Sequence, residues 1–455
     1  MTGTSINRKI LNLALPAVLY TLTKSSFSII DMYWVGKLGS IELAGLTVAT
    51  FITWGVISLA EVISVGINTL VAQAVGAEDR LLSRKVSTIN LVNSFFYSIL
   101  LGLLIIPLTP YLYWIMALSE NEITNANLYL MPILIGLPCL SLRDAVSSVF
   151  RGYGDTKTPF YLLLLAVFIN FFITPLLIFG IEIGDTRILK FGLSGAAFAT
   201  LISYLLSFFI GYLIAKRREL LYSIRKYVFS LSILKETFKI GTPLALNGLA
   251  FSMIYVFVAR FVAEFGPAGL ASMGIGHRSE SMAFQICMGF TLASTIMVGQ
   301  SMGAKRKDEA ENYAWRIVAI CGTIVAVYAI GLFLFSSEIA SIFSSDPAVI
   351  SAASDYNKIA AAVIIFTAVE VVLEGAFSGS GDTLRPALIT MPFNILMNQL
   401  AAFIAPEFGL NGIWYAIAIS NICKGILMAI WFKRGKWKEK SLSLLKDKDH
   451  LSEIK

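Results

Sequence analysis

The chain alternates long apolar runs with short polar connections. Twelve runs stand out, at 12–35, 43–71, 89–115, 126–149, 159–180, 191–215, 240–263, 270–299, 313–335, 353–377, 386–404 and 409–432. A helix needs roughly 20 such residues to cross about 30 Å of hydrocarbon. Backbone polar groups inside lipid must be paired within their own segment, which favours helices. A membrane β-barrel needs short strands of alternating polarity, and a run such as 160–179 does not alternate. The pattern predicts an all-α polytopic membrane protein with twelve transmembrane helices.

The runs fall into two related halves. Pro16 matches Pro243, Gly39 matches Gly266, and Leu43-Ala44 matches Leu270-Ala271. Val71-Ala72-Gln73 with Gly76-Ala77 matches Val298-Gly299-Gln300 with Gly303-Ala304, and Gly154-Asp155-Thr156 with Pro159 matches Gly381-Asp382-Thr383 with Pro386. All these pairs share one offset of 227 residues. Phe191-Gly192-Leu193 and Gly195 match Phe408-Gly409-Leu410 and Gly412 after a ten-residue deletion. Six spans per half is an even number, so both halves enter the membrane in the same direction, as in parallel-repeat transporters. The expected organisation is two six-helix pseudo-symmetric lobes: an N-lobe at 1–215, a cytoplasmic linker at 216–239, a C-lobe at 240–434 and a polar tail at 435–455.

Charge supplies the orientation. Basic clusters at Arg8/Lys9, Arg80/Arg84/Lys85, Arg151/Lys157, Lys216/Arg217/Arg218, Lys305/Arg306/Lys307, Arg385 and Lys433/Arg434/Lys436 fall on one side. The opposite loops hold Glu120, Glu122, Glu182, Asp185, Glu264, Glu338, Asp346 and Glu407. The positive-inside rule then puts both termini in the cytoplasm, in a multi-pass plasma-membrane protein. The same placement accounts for the net charge of +7 without a nucleic-acid partner. The segment 216–239, with Leu221, Ile224, Tyr227, Phe229 and Leu231 among its basic residues, reads as a linker or as an amphipathic helix on the inner leaflet. Arg8-Lys9 before an apolar run imitates a signal peptide, but no small-residue cleavage site follows. Only 14% of residues are charged against 56% hydrophobic, so each charge within a span needs a reason.

Catalytic and metal chemistry find little support. Cys139, Cys287, Cys321 and Cys423 lack paired spacing, and His277 and His450 stand alone, so neither a disulfide framework nor a transition-metal site is expected. No Gly-rich loop followed by Lys-Ser/Thr marks a nucleotide site, and no nucleophile elbow or catalytic dyad marks an enzyme. A receptor has no evident use for the repeat.

Several motifs carry a family resemblance: Ile30-Asp31 with Trp34-Val35-Gly36 and Leu38-Gly39, Val71-Ala72-Gln73 with Gly76-Ala77, the run 154–159 and its partner 381–386, and Val298-Gly299-Gln300 with Gly303-Ala304. In order and spacing, over about residues 8–434, the chain resembles the multidrug and toxic compound extrusion (MATE) family. The resemblance implies a twelve-helix antiporter, monomeric and without a resident cofactor. It would export small organic, often cationic, compounds while H⁺ or Na⁺ enters. A lipid-linked oligosaccharide flippase of the same superfamily is the alternative; it would commonly carry two more helices and a more cationic cavity.

Asp31, late in the first span, is the first ionisable group inside an apolar run; as a carboxylate it could bind Na⁺, and as an acid it could carry H⁺. Its bland reading is a structural pair with Lys24 or with a helix end. The resemblance places the N-lobe cation carboxylate at Asp31 and adds Asn170 and Thr200 as neutral oxygen ligands. Thr174, before Pro175, stands where many members carry a second acid, and it completes the expected cation set. In the second half, Glu370 and Glu374 share one helix face, so at least one must be protonated or paired in a dry interior. Another branch of the family places acids in the seventh and tenth helices; here those places hold Asn247 and Thr367. Glu280, Glu370 and Glu374, with Tyr33, Trp34, Phe171, Tyr255 and Phe284, are the expected substrate-cavity residues, the bland reading being helix packing and pairing with Arg278 or Arg260. Glu61, inside the second span, fits either role. Asp155 and Asp382 read as helix N-caps.

Overall fold

The computed structural model describes residues 3–116, 118–183, 186–223 and 229–440. The first span is two helices, α1 (Gly3–Lys24) and α2 (Ser26–Val35), broken at Ser25. α3 (Ser40–Gly76) follows, then α4 (Arg80–Ile105), which passes through a short 3₁₀ turn into α5 (Thr109–Ile115). Next come α6 (Glu120–Ile135), α7 (Leu137–Gly152), α8 (Lys157–Phe179) and α9 (Leu193–Arg217). The second half runs through α10 (Leu231–Ala263), α11 (Gly266–Gly303), α12 (Lys307–Leu334), α13 (Ser336–Phe343), α14 (Pro347–Ser380), α15 (Leu384–Phe408) and α16 (Leu410–Lys433).

Among the described residues, ten helices are long and apolar enough to span a membrane, and α6 with α7 makes an eleventh if the bent pair is one span. α10 stands where the seventh span is expected; four of its side chains, Tyr255 among them, lie outside the described residues. The chain is therefore an all-α polytopic membrane protein. Large apolar side chains such as Phe403, Ile342 and Ile135 are exposed, which suits contact with lipid. The helices overrun the apolar runs: α3 has 37 residues and is about 55 Å long. Two features depart from a chain of straight spans. The expected helix 126–149 bends by 51° between α6 and α7. Pro138 explains it, because it has no N–H to offer the Leu134 carbonyl one turn back, and α6 ends at the intervening Gly136. Between α8 and α9, β1 (Ile181–Ile183) pairs antiparallel with β2 (Thr186–Ile188), a hairpin that the hydropathy pattern does not signal.

Backbone contacts divide the chain into two compact units. The first comprises Leu22–Val75 and Asp79–Ala245; the second comprises the chain up to Thr21, Gly76–Glu78 and the chain from Leu246 onward. The division tracks the repeat except for Gly76–Glu78 and the first helix of each half, whose opening turns are grouped with the other unit. In the first unit α9 packs on α6, α7 and α8, and α2 lies against α8. In the second unit α14 is the central helix, lying against α11, α12 and α16.

Association of helices in lipid relies on close approach and interhelical hydrogen bonds. α14 uses both against α11: a Cβ on Gly375 would stand 2.5 Å from the Thr291 carbonyl oxygen. Thr291 Oγ1 donates to the Val371 carbonyl at 2.9 Å, and Thr295 Oγ1 to the Gly375 carbonyl at 3.0 Å.

The two Gly-Asp-Thr turns serve as fasteners. Asp155 accepts from the Lys157 and Thr158 amides at 3.0 and 2.9 Å, capping α8, and from Arg218 Nη1 at 2.7 Å, which ties down the end of α9. Asp382 holds the equivalent place by ion pairs with Arg385 and with Lys440. In the segment after α9, the Tyr222 backbone N–H donates to Thr88 Oγ1 at 2.8 Å; Ile224 and Tyr227 lie outside the described residues.

Candidate functional site

α2 turns Phe27, Ile30, Asp31 and Val35 inward, so a carboxylate enters an apolar face. Asp31 is 3% exposed. Its Oδ2 accepts a hydrogen bond from the Tyr129 hydroxyl of α6 at 2.8 Å. From α9, Thr200 stands beside both groups. From α8, Asn170 Nδ2 donates to Thr200 Oγ1 at 3.2 Å. One turn on, Thr174 Oγ1 donates to the Asn170 carbonyl at 2.7 Å, so this hydroxyl serves its own helix. Asp31, Asn170 and Thr200 are thus brought together as expected, Thr174 sits at the margin, and Tyr129 is a member that hydropathy and motif reading missed. The pair between Asp31 and Lys24 does not form: Lys24 pairs with Glu61, at 2.7 Å.

Among the described residues, two oxygens of this cluster, Asp31 Oδ1 and Asn170 Oδ1, are buried and meet no hydrogen-bond geometry, with Thr200 the nearest polar neighbour of Asp31 after Tyr129. An unsatisfied buried acceptor costs about 1–3 kcal/mol, and more for a charged group. Both would be satisfied by a proton on the carboxyl or by a hard cation taking oxygen ligands.

The repeat provides an internal control. At its offsets, Asp31, Asn170 and Thr200 correspond to Val258, Met397 and Ile417, while Tyr129 corresponds to Tyr356. In the second unit these counterparts pack together in one buried apolar cluster. The same place in the fold is thus polar in one unit and hydrocarbon in the other.

The second unit keeps its acids elsewhere. Tyr356 donates to Glu280 Oε2 at 2.7 Å across from α14 to α11. Glu280, Tyr356, Trp414 and Asn421 line a small open pocket. Glu370 pairs with Lys424 Nζ of α16 at 3.3 Å, and the ammonium also donates to Asn394 Oδ1 at 3.1 Å. Glu374 accepts from Asn247 Nδ2 at 3.2 Å, and Thr390 Oγ1 donates to Asn247 Oδ1 at 2.9 Å. Glu370 is therefore paired as the sequence requires, with Lys424 and not with Arg260 or Arg278. Both partners are nearly as buried as Asp31, which leaves this ion pair internally compensated.

The expected aromatic residues are spread over both units. Trp34 lies 6.0 Å from Phe171 and 4.9 Å from Tyr33 between ring centroids, and Lys37 Nζ sits 4.4 Å from the Tyr33 ring. Tyr33 and Phe171 are more than two-fifths exposed, and Phe284 in α11 is comparably open. The Tyr255 side chain lies outside the described residues. Cys287 and Cys321 are buried neighbours in the second unit, and no cluster of three His, Cys, Asp or Glu residues occurs among the described residues.

Comparison with known proteins extends the likeness over nearly the whole chain. The MatE family profile matches residues 16–176 and 243–404. A probable multidrug resistance protein NorM of Thermotoga maritima is 29% identical over 450 residues, covering 96% of this chain and 94% of that protein. An FAD transporter of Shewanella oneidensis is 25% identical, covering 92% and 93%. A solved structure described as the outward-facing conformation of a multidrug resistance MATE family transporter superposes with a TM-score of 0.87 at 21% identity, covering 96% of this chain and 97% of that one. At that identity the superposition speaks for the fold alone.

Proposed function

The chain belongs to the MatE family, and from that premise we propose that it is a secondary active antiporter. It exports small organic, often cationic and amphipathic, compounds from the cytoplasm as H⁺ or Na⁺ enters, by alternating access of two lobes. It acts as a monomer in the plasma membrane with both termini cytoplasmic. Asp31 is the coupling carboxylate, with Asn170 and Thr200 as neutral partners and Tyr129 as the hydrogen-bond donor that orients it.

The observation that carries this reading is the pair of unsatisfied buried oxygens on Asp31 and Asn170. A membrane protein can fill this position with Val, Met and Ile, as the second unit does, so the polar set answers a need other than folding. When no ion is bound, the buried carboxylate is left uncompensated, and conformations that return it to water are favoured. Binding the ion reverses that preference, and so links ion movement to the lobe transition. The names of the Thermotoga and Shewanella relatives support a small-molecule cargo.

The test uses purified protein in liposomes loaded with a cationic dye, with efflux driven separately by a Na⁺ gradient and by a pH gradient. Asp31→Asn is expected to lower driven efflux by about tenfold or more while the protein remains folded. Wild-type efflux in this variant would remove Asp31 from the coupling role. Equal flux with and without either gradient would indicate passive permeation.

A further inference from the structure

The second unit buries a cation that the proposed coupling site does not use. The side chain of Lys424 in α16 is 7% exposed and that of Glu370 in α14 is 8% exposed. Close packing brings the two together. A Cβ on Gly425, the residue after Lys424, would stand 2.6 Å from the Phe366 carbonyl oxygen, one turn before Glu370, so α16 lies directly on α14. The ammonium has an oxygen on two sides: Glu370 Oε1 at 3.3 Å and, from α15, Asn394 Oδ1 at 3.1 Å. The neighbouring acids Glu374 and Glu280 take hydrogen bonds of their own, from Asn247 and from Tyr356.

The repeat again serves as a control. Asn394 stands one turn before Met397, the counterpart of Asn170, so the fifth span of each half adds an asparagine to a buried carboxylate. In the first unit the two are Asp31 and Asn170, and each keeps one oxygen without a hydrogen bond among the described residues. In the second they are Glu370 and Asn394, and one ammonium meets both. Packing does not demand that ammonium. Lys424 corresponds to Ser207, which closes the same crossing in the first unit by donating its hydroxyl to the Leu162 carbonyl at 3.0 Å. Nor is a buried ion pair a strong source of stability, since apolar residues of similar volume often serve as well. What the lysine supplies is occupancy. A free ion gives up translational freedom to enter a site and leaves it as its concentration falls. An ammonium held on a four-carbon stem stays whatever the gradient.

We propose that Lys424 is the permanently bound cation of the second unit: its ammonium fills a monovalent-cation site made by Glu370 and Asn394. No ion exchanges at that site, and ion coupling falls to the first unit alone. The statement about coupling rests on the reading of Asp31 as the coupling carboxylate, whereas the filled site does not. The two units thus hold one device in two forms, a carboxylate with an asparagine oxygen that takes a mobile ion in one and a tethered ammonium in the other. Lys424 is a specificity-determining residue in this scheme, because it sets how many ions the protein binds. Taking the ammonium away while leaving the oxygens opens a second site to cations from solution.

The experiment counts radioactive Na⁺ bound and protons taken up per molecule of purified full-length protein, for wild type, Asp31→Asn, Lys424→Met and the double variant. Lys424→Met is expected to hold one cation more, H⁺ or Na⁺, than its parent in both backgrounds. In the Asp31→Asn background its melting temperature should rise with added Na⁺, methylammonium or acid, against a choline control of equal ionic strength. Adding Glu370→Gln should remove both effects. Lys424→Gln is carried alongside as a polar alternative. If both lysine variants unfold in choline, Na⁺, methylammonium or acid must hold them folded, and failure of all three overturns the proposal. So does a folded lysine variant that gains no cation, or a gain that persists with Glu370→Gln. The two readings fail separately. A gain in Lys424→Met beside an Asp31→Asn protein that keeps every ion of wild type defeats the coupling role of Asp31 and leaves the filled site standing. Loss of an ion in Asp31→Asn with no gain in Lys424→Met defeats only the filled site.

Discussion

The two units solve one packing problem with opposite chemistry. Around Tyr129 the first unit places Asp31, Asn170 and Thr200; around Tyr356 the second places Val258, Met397 and Ile417. The tyrosine persists, but in the second unit its hydroxyl turns to Glu280 of α11. Glu370 adds a second contrast. It is buried about as deeply as Asp31, yet it has Lys424 as a built-in counter-ion, while Asp31 has a phenol on one oxygen and, among the described residues, no hydrogen bond on the other. Burial alone therefore does not identify an ion-binding carboxylate. The unmet oxygen sets Asp31 apart from Glu370, at a position that its own repeat fills with hydrocarbon, and that contrast supports the proposed coupling role.

The contrast can be broken by making the first unit copy the second. The triple replacement Asp31→Val, Asn170→Met, Thr200→Ile is expected to abolish ion-driven efflux, the largest effect of all. The same protein should unfold at a higher temperature than wild type, because about 1–3 kcal/mol is regained for each unsatisfied oxygen removed. Loss of activity with a lower melting temperature would mean that the polar set stabilises the fold. The reverse manipulation sharpens the second unit's side. Glu370→Gln leaves the Lys424 ammonium without its carboxylate and should destabilise the protein by about 3–5 kcal/mol. Replacing both partners with Leu should be close to neutral in thermal unfolding by the same reasoning. If single and double replacements melt alike, the pair is not the compensated unit described here.

Much of this was legible in the sequence. Hydropathy located the spans, the 227-residue offset revealed the two halves, and the cost of charge in lipid singled out Asp31. Family resemblance supplied Asn170 and Thr200. The partners were harder to see, because choice of partner depends on which helix faces meet. Lys24 lies seven residues from Asp31 but pairs with Glu61, thirty-seven residues on, and Lys424 reaches Glu370 from a different helix. Tyr129 carries no charge and sits among other apolar positions of α6, so composition is silent about it. Two signals were nonetheless present. Pro138 close behind Gly136 marks the bend between α6 and α7, and aligning the halves shows Tyr129 shared while its polar neighbours are not.

The most direct test counts ions and leaves transport aside. Proton uptake and radioactive Na⁺ binding should be measured per molecule of purified protein, for wild type, Asp31→Asn and Glu370→Gln. The account predicts that Asp31→Asn loses one bound ion and that folded Glu370→Gln loses none. Undiminished ion binding in Asp31→Asn, or loss of the ion in Glu370→Gln instead, would contradict it.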